Sequence, residues 1–334
     1  MELIVENPGL LTTIQDEGRF GYLSFGMSSA GPMDPAAFRI ANILVGNDHG
    51  ESALEATIFG PTIRFEGEEG LLALTGADMG ATLNGRPCPR YQAVPVKAGD
   101  QLRMGAVTSG ARAYIAVSGG IDVPLIMGSR STAVQNRVGG FEGRKLMAGD
   151  RLPGGIPRYL PADPDPRHSS APEYPGAVEI RVIPGPQQDA FTAAGLVTFY
   201  GSEFTIGADS NRMGCRLDGP LVEHAGDGNI ISDGIVPGCI QVPGSGQPIV
   251  LLQDCQTVGG YAKIATVVAA DLGSMGQLKP GDRVRFRAVS LEEAHAAYLN
   301  QEKTLYELDA KFNHSWAEAA VHRIGQFLSG KTVL

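Results

Sequence analysis

Between residues 153 and 175 the chain carries seven prolines in 23 residues, from Pro153-Gly154-Gly155-Ile156-Pro157 to Pro172-Glu173-Tyr174-Pro175. Proline has a fixed φ and no N–H to donate, so this stretch cannot run through the interior of a helix or a sheet. It divides the chain into residues 1–155 and residues 177 onward, with 156–176 as an inter-domain linker or a long surface excursion. A chain of 334 residues is too long for one ordinary core and suits two domains with an appendage. Beyond the break the pattern restarts as Val178-Glu179-Ile180-Arg181-Val182-Ile183, a period-2 strand.

Each part is expected to be β-rich. Forty-five glycines without a collagen-like period mean many tight turns, hence many short elements. One turn recurs on both sides of the break: Lys97-Ala98-Gly99-Asp100-Gln101-Leu102, Met147-Ala148-Gly149-Asp150-Arg151-Leu152 and Lys279-Pro280-Gly281-Asp282-Arg283-Val284. In each, glycine supplies a positive φ before an alternating strand. The repeat predicts two related β-barrel domains in tandem, 1–155 and 177–290.

Helical signals are few. Asp34-Pro35 pairs an N-cap carboxylate with proline at the first helical position, and Phe38, Ala41, Leu44 and Val45 share a face that Gly46-Asn47 closes. Ser290 and Glu293 form a capping box for a helix to about residue 312. Ser315 and Glu318 begin a third helix, with Trp316, Ala320, Ile324 and Phe327 on one side. Residues 291–334 are thus a helical tail.

Several function classes are disfavoured. A net charge of −9 with scattered basic residues does not suit a nucleic-acid binder. The acidic start Met1-Glu2-Leu3-Ile4-Val5-Glu6 is not a signal peptide, and no apolar run is long enough to span a membrane. Cys88, Cys215, Cys239 and Cys255 therefore read as reduced thiols of a cytoplasmic protein. The six histidines have no metal-ligand spacing, there is no C-x-x-C, and no metal site is expected. No G-x-S-x-G elbow occurs. Gly325-Gln326-Phe327-Leu328-Ser329-Gly330-Lys331-Thr332 matches the phosphate-loop pattern formally, but a helix rather than a strand precedes it.

Two polar clusters carry the functional expectation. In Asp209-Ser210-Asn211-Arg212-Met213-Gly214, Arg212 can clamp a carboxylate, and an internal ion pair is the competing reading. In Asp254-Cys255-Gln256-Thr257-Val258-Gly259-Gly260-Tyr261-Ala262-Lys263, a polar turn between the apolar runs 249–252 and 264–268 would aim N–H groups and side chains at a polarised carbonyl oxygen.

At these residues the chain resembles the allophanate hydrolase subunit 2, or KipA-like, family. The resemblance begins at Asn7-Pro8-Gly9-Leu10-Leu11-Thr12-Thr13-Ile14-Gln15-Asp16-Glu17-Gly18-Arg19-Phe20-Gly21-Tyr22. It continues through Gly31-Pro32-Met33-Asp34, residues 210–217, Gly234 to Pro243 and Gln256 to Lys263, covering about residues 1–290. Ala262 replaces a usual proline and Cys215 a common aromatic, which affects turn rigidity and the pocket wall.

The resemblance implies two cyclophilin-like β-barrels. It also implies membership of an ATP-dependent 5-oxoprolinase, which opens 5-oxo-L-proline to L-glutamate beside the A and B subunits, the latter KipI-like. Relatives form the carboxyltransferase part of biotin-dependent urea carboxylase, and a KipA-like regulator of a KipI-like kinase inhibitor is a further reading. No Met-Lys-Met biotin acceptor is present. Under this reading Gln256, Thr257, Lys263 and Asp254 are the catalytic candidates. Arg212, Asn211, Gly259, Gly260, Tyr261 and Asp34 are the substrate-binding ones.

Overall fold

A computed structural model describes residues 1–157 and 167–313. The first half contains β1 (Glu2–Asn7), β2 (Leu11–Gln15), α1 (Pro35–Leu44), β3 (Ala53–Thr57), β4 (Thr62–Glu66), β5 (Gly70–Asp78), β6 (Thr82–Leu83), β7 (Arg86–Pro87), β8 (Ala93–Val96), β9 (Gln101–Arg103), β10 (Ser109–Val117) and β11 (Arg151–Pro153). The second contains β12 (Ala177–Pro184), α2 (Ala193–Gly201), β13 (Phe204–Ile206), β14 (Gly214–Asp218), β15 (Asn229–Gly234), β16 (Cys239–Gln241), β17 (Ile249–Leu251), β18 (Val258–Tyr261), β19 (Lys263–Val267), α3 (Leu272–Gly276), β20 (Arg283–Ala288) and α4 (Leu291–Asn313).

In the first half a six-stranded sheet, β11-β1-β4-β9-β6-β7, packs on a five-stranded sheet, β2-β3-β10-β5-β8. Alternation sends Ile63 and Phe65 of β4 inward while Thr62, Arg64 and Glu66 face outward. Strands β5 and β10 are apolar on both faces. Leu72, Leu74, Ile115 and Val117 fill the inter-sheet core, and Leu71, Ala73, Tyr114 and Ala116 face α1. Helix α1 starts as expected, with the Asp34 carboxylate accepting the Ala37 N–H at 3.1 Å and proline at its first turn.

The second half is a closed seven-stranded barrel, β12-β19-β16-β17-β14-β13-β20, in which β12 and β20 run parallel. Ile180, Val182, Leu217, Ile240, Val250, Ile264 and Val284 fill it, and Phe199 of α2 stacks on Phe286 at 4.9 Å.

The repeated turn has one hydrogen-bond pattern at all three places. Asp100, Asp150 and Asp282 each accept, on a carboxylate oxygen, the N–H three residues earlier, from Lys97, Met147 and Lys279, at 2.8–3.0 Å. The preceding glycines have φ of +89°, +94° and +91°, where a side chain would be strained. Each turn then exchanges two backbone bonds with one strand residue: Phe65, Val5 or Ile206.

The end of the proline-rich segment is not a free tether. Arg167 is buried, and its guanidinium bonds the carbonyls of Leu44 (2.6 Å) at the end of α1 and Phe312 (2.8 Å) at the end of α4, where helix dipoles favour a cation. Tyr174 reaches Tyr91 and Asp34. Between the halves, Gln277 Oε1 accepts the N–H groups of Ala111 and Arg112, and Arg112 donates to the carbonyls of Gly276 and Leu278. The Ser290–Glu293 capping box forms in both directions. The third predicted helix and the Gly325–Thr332 pattern lie outside the described residues. No helix among the described residues is long and apolar enough to cross a membrane.

Candidate functional site

Among the described residues, strands β15 and β18 pair only with each other, as a two-stranded ribbon beside the barrel. Its register runs Asn229↔Tyr261, Asp233↔Gly259 and Gly234↔Val258, with an irregularity between Asn229 and Asp233. Chain direction explains its position: β18 leads at once into β19, so a polar ribbon strand becomes a barrel strand at Lys263. The ribbon therefore carries or adjoins most of the expected site: Thr257, Gly259, Gly260, Tyr261 and Lys263, with Gln256 at its root. Gln256 and Tyr261 are exposed, and the Thr257 carbonyl accepts the Ile235 N–H at 2.9 Å.

The Lys263 side chain is only 5% exposed. Its ammonium donates to the Asp233 carboxylate and to the Gly234 carbonyl at 3.0 Å. Its backbone N–H donates to Gln187 Oε1 at 3.2 Å, and Gln241 Nε2 donates to the Tyr261 carbonyl at 3.1 Å. Asp233, by contrast, is 54% exposed, and the hydrogen bond from Lys263 is the largest influence holding its carboxyl below the usual range. A desolvated cation beside a solvent-accessible carboxylate can receive an anionic oxygen.

The glycine pair corrects the sequence expectation. The turn occupies Gln253–Thr257, whereas Gly259 and Gly260 lie within β18. Gly259 is closely packed: a Cβ there would lie 2.4 Å from Ile235 Cδ1 and 2.9 Å from Gln241 Nε2, so the ends of these two side chains would have to shift. At Gly260 the nearest atom would be 3.4 Å away.

Arg212 and Asp254 form a different kind of centre. Arg212 Nε and Nη2 bond the two oxygens of Asp254 at 2.8 and 2.9 Å, Nη2 also reaches the Gly31 carbonyl at 2.7 Å, and Nη1 bonds Glu55. Glu55 also accepts from the Met33 N–H and the Tyr114 hydroxyl, both at 2.8 Å. Burial alone would lower the guanidinium pKa, but the charges of Asp254 and Glu55 more than offset it and the net shift is upward. The carboxylate clamp expected of Arg212, and the catalytic role expected of Asp254, are therefore corrected: four of the five guanidinium N–H donors are committed inside the chain, and Asp254 is their counter-ion. The centre still supports the ribbon site, because the Asp254 N–H donates to the Arg212 carbonyl and fixes where the 254–263 segment begins.

Asp34 is corrected likewise. It is buried, caps α1, and accepts from Gln277 Nε2 (2.9 Å) and the Tyr174 hydroxyl (3.1 Å), with burial pushing its carboxyl pKa up. Asn211 is exposed but spends its Oδ1 on the Met213 N–H at 2.7 Å. It lines a separate polar cleft of ≈ 750 Å³ with Asp209, Ser210, Arg216, Asp218 and Gln247. Among the described residues no group of three or more His, Cys, Asp or Glu side chains could hold a metal ion.

The carboxyltransferase domain, subdomain A and B, matches residues 25–288. The chain belongs to this carboxyltransferase family. It is 41% identical over 300 residues to the C subunit of 5-oxoprolinase in Escherichia coli, covering 90% of this chain and 95% of that protein. It is 36% identical over 324 residues to urea amidolyase of Saccharomyces cerevisiae, covering 90% of this chain but 17% of the yeast protein. The crystal structure of Kluyveromyces lactis urea amidolyase superposes with a TM-score of 0.85 at 33% identity, covering 92% of this chain and 20% of that one. The mainly β architecture with its closed barrel is thus that of the carboxyltransferase family.

Sequence reasoning had missed Asp233, Gln187, Gln241 and Glu55. Of these, Glu55 had a readable signal: it is the lone charge in the otherwise uncharged run Ala53-Leu54-Glu55-Ala56-Thr57.

Proposed function

We propose that this chain is the C subunit of a cytoplasmic, ATP-dependent 5-oxoprolinase, active together with the A and B subunits, the latter KipI-like. The observation that carries this reading is coverage: the likeness runs through 95% of a relative named as that subunit, and through only 17% of a urea amidolyase. The balance is 5-oxo-L-proline, ATP and two waters giving L-glutamate, ADP and phosphate. One water opens the ring, and the other is consumed in releasing phosphate.

The chemistry fits the ribbon site. A lactam carbonyl is deactivated by its nitrogen, so its opening needs negative charge stabilised at oxygen. Lys263 brings a fixed positive charge held out of water, and Gln256 and Thr257 of the turn and Tyr261 of β18 bring polar groups to the segment that leads into it. ATP supplies a phosphoryl group that turns the lactam oxygen into part of a leaving group. The longer described helices do not offer a triphosphate site, because α1, α2 and α4 already hold a side-chain oxygen at their N-termini, from Asp34, Thr192 and Ser290, and α3 has only five residues. We place nucleotide binding on a partner subunit, and no biotin is attached here.

The test is reconstitution. This chain, mixed with its B and A partners, is expected to form glutamate from 5-oxoproline only when ATP is present, and Lys263→Ala is expected to remove most of that turnover. Failure of the complete mixture to form glutamate overturns the reading. Carboxylation of urea with a biotin carrier and biotin carboxylase would favour the carboxyltransferase alternative, for which the likeness to urea amidolyase speaks.

A further inference from the structure

The two partners of the Lys263 ion pair are unequal. The Lys263 side chain is 5% exposed and Asp233 is 54% exposed. A buried ammonium without a counter-charge is costly, so something anionic must stay beside it. An exposed carboxylate, in contrast, loses little solvation when it enters or leaves such a contact.

The surroundings separate the two residues mechanically. Lys263 is the first residue of a barrel strand and lies in register with Gln241, and its backbone N–H is held by Gln187. Asp233 lies on a ribbon strand whose ladder joins only β18, next to a register irregularity and followed directly by Gly234. The ammonium has three donors and two bonded partners, Asp233 and the Gly234 carbonyl. Lys263 can therefore keep its place when Asp233 moves away, and it has a donor left for an incoming oxygen.

We propose that Lys263 is a seat for a small oxyanion of the substrate, and that Asp233 is a positioning residue that fills this seat until the oxyanion displaces it. This rests on the 5-oxoprolinase reading for the identity of the oxyanion, which is either the carboxylate of the lactam substrate or a phosphoryl group delivered from ATP. Loss of the expected carboxylate clamp at Arg212 strengthens the case, because four of its five N–H donors are already spent on Asp254, Glu55 and Gly31. The internal carboxylate competes at an effective concentration on the order of millimolar, so it masks weak anions and admits only a ligand with further contacts.

The experiment is calorimetric titration of the whole isolated chain with 5-oxoproline in one arm and inorganic phosphate in the other. Asp233→Ala and Asp233→Asn take the counter-charge from buried Lys263, so each is first shown to be folded by circular dichroism, and together they carry the test even if Lys263→Gln fails to fold. Both are expected to bind at least one of the two anions about tenfold more tightly than the unaltered chain. In the reconstituted complex they are expected to lower KM for 5-oxoproline if the carboxylate takes the seat, a shift that a merely structural ion pair would not give. Tightening with 5-oxoproline alone assigns the seat to the carboxylate, and tightening with phosphate alone assigns it to the phosphoryl group. Unchanged or weaker binding of both anions by both variants overturns the proposal. The titration needs no turnover, so it remains readable if the glutamate assay fails.

Discussion

Replacing Arg212 by methionine is expected to destabilise the fold before it affects any chemistry. The guanidinium sits between Asp254 and Glu55, with side chains 4% and 1% exposed, and its removal leaves two buried carboxylates without the cation that bonds both. Breaking one partner out of such a buried arrangement costs about 3–5 kcal/mol. At about 2–4 °C per kcal/mol for a sizeable domain, the melting temperature should fall by about 6–20 °C. The assay is a circular-dichroism melt with a urea titration beside it. Arg212→Met combined with Glu55→Gln and Asp254→Asn is expected to regain about 2 kcal/mol, because a neutral, hydrogen-bonded cluster no longer confines unpaired charge. An Arg212→Met protein melting within about 2 °C of the unaltered chain, but failing to turn over 5-oxoproline, would refute this and restore the substrate clamp.

Gly259→Ala is expected to cost about 1–3 kcal/mol by crowding Ile235 and Gln241, whereas Gly260→Ala should be nearly neutral; paired urea titrations compare them. Asp34 has a folded pKa raised by burial, so its contribution to stability is fully present below the unfolded value of about 3.9 and declines as pH rises through the folded one. The stability of the unaltered chain relative to Asp34→Asn should therefore fall as pH rises above about 4, and an increase would contradict the assigned cause. Burial pushes the thiols of Cys88 and Cys255 up to about 11 and about 12, and all four cysteines are free and buried. A thiol reagent at pH 8 should label none of them in the native chain and all four after denaturation.

What the sequence revealed was whatever is decided locally. The α1 cap, the Ser290–Glu293 box and the three Gly-Asp turns each depend on residues within a few positions of one another, and all formed as read. Strand β20 was equally plain, because Val284 and Phe286 alternate with Arg283, Arg285 and Arg287. The site was half legible. Lys263 and the 254–263 segment stood out by chemistry, but Gly259-Gly260 reads as a turn until its partner strand is known. That partner, β15, lies almost thirty residues upstream and is mostly exposed, so it has no hydrophobic period to reveal it. Arg212 presented a guanidinium whose use was undetermined, since Glu55 lies 157 residues away and local propensity carries no information about such a meeting.

The contacts that close the two halves on each other also make each an incomplete object. Met33 comes from the first half yet is buried in the second core, and its carbonyl would lie 2.1 Å from a Cβ at Gly276. Arg167 comes from within the proline-rich segment yet terminates α1. The halves have in effect exchanged parts. Expressed as separate polypeptides, 1–157 and 167–313 should each be deficient alone and should recover their structure by complementation, each acting as the template on which the other finishes folding.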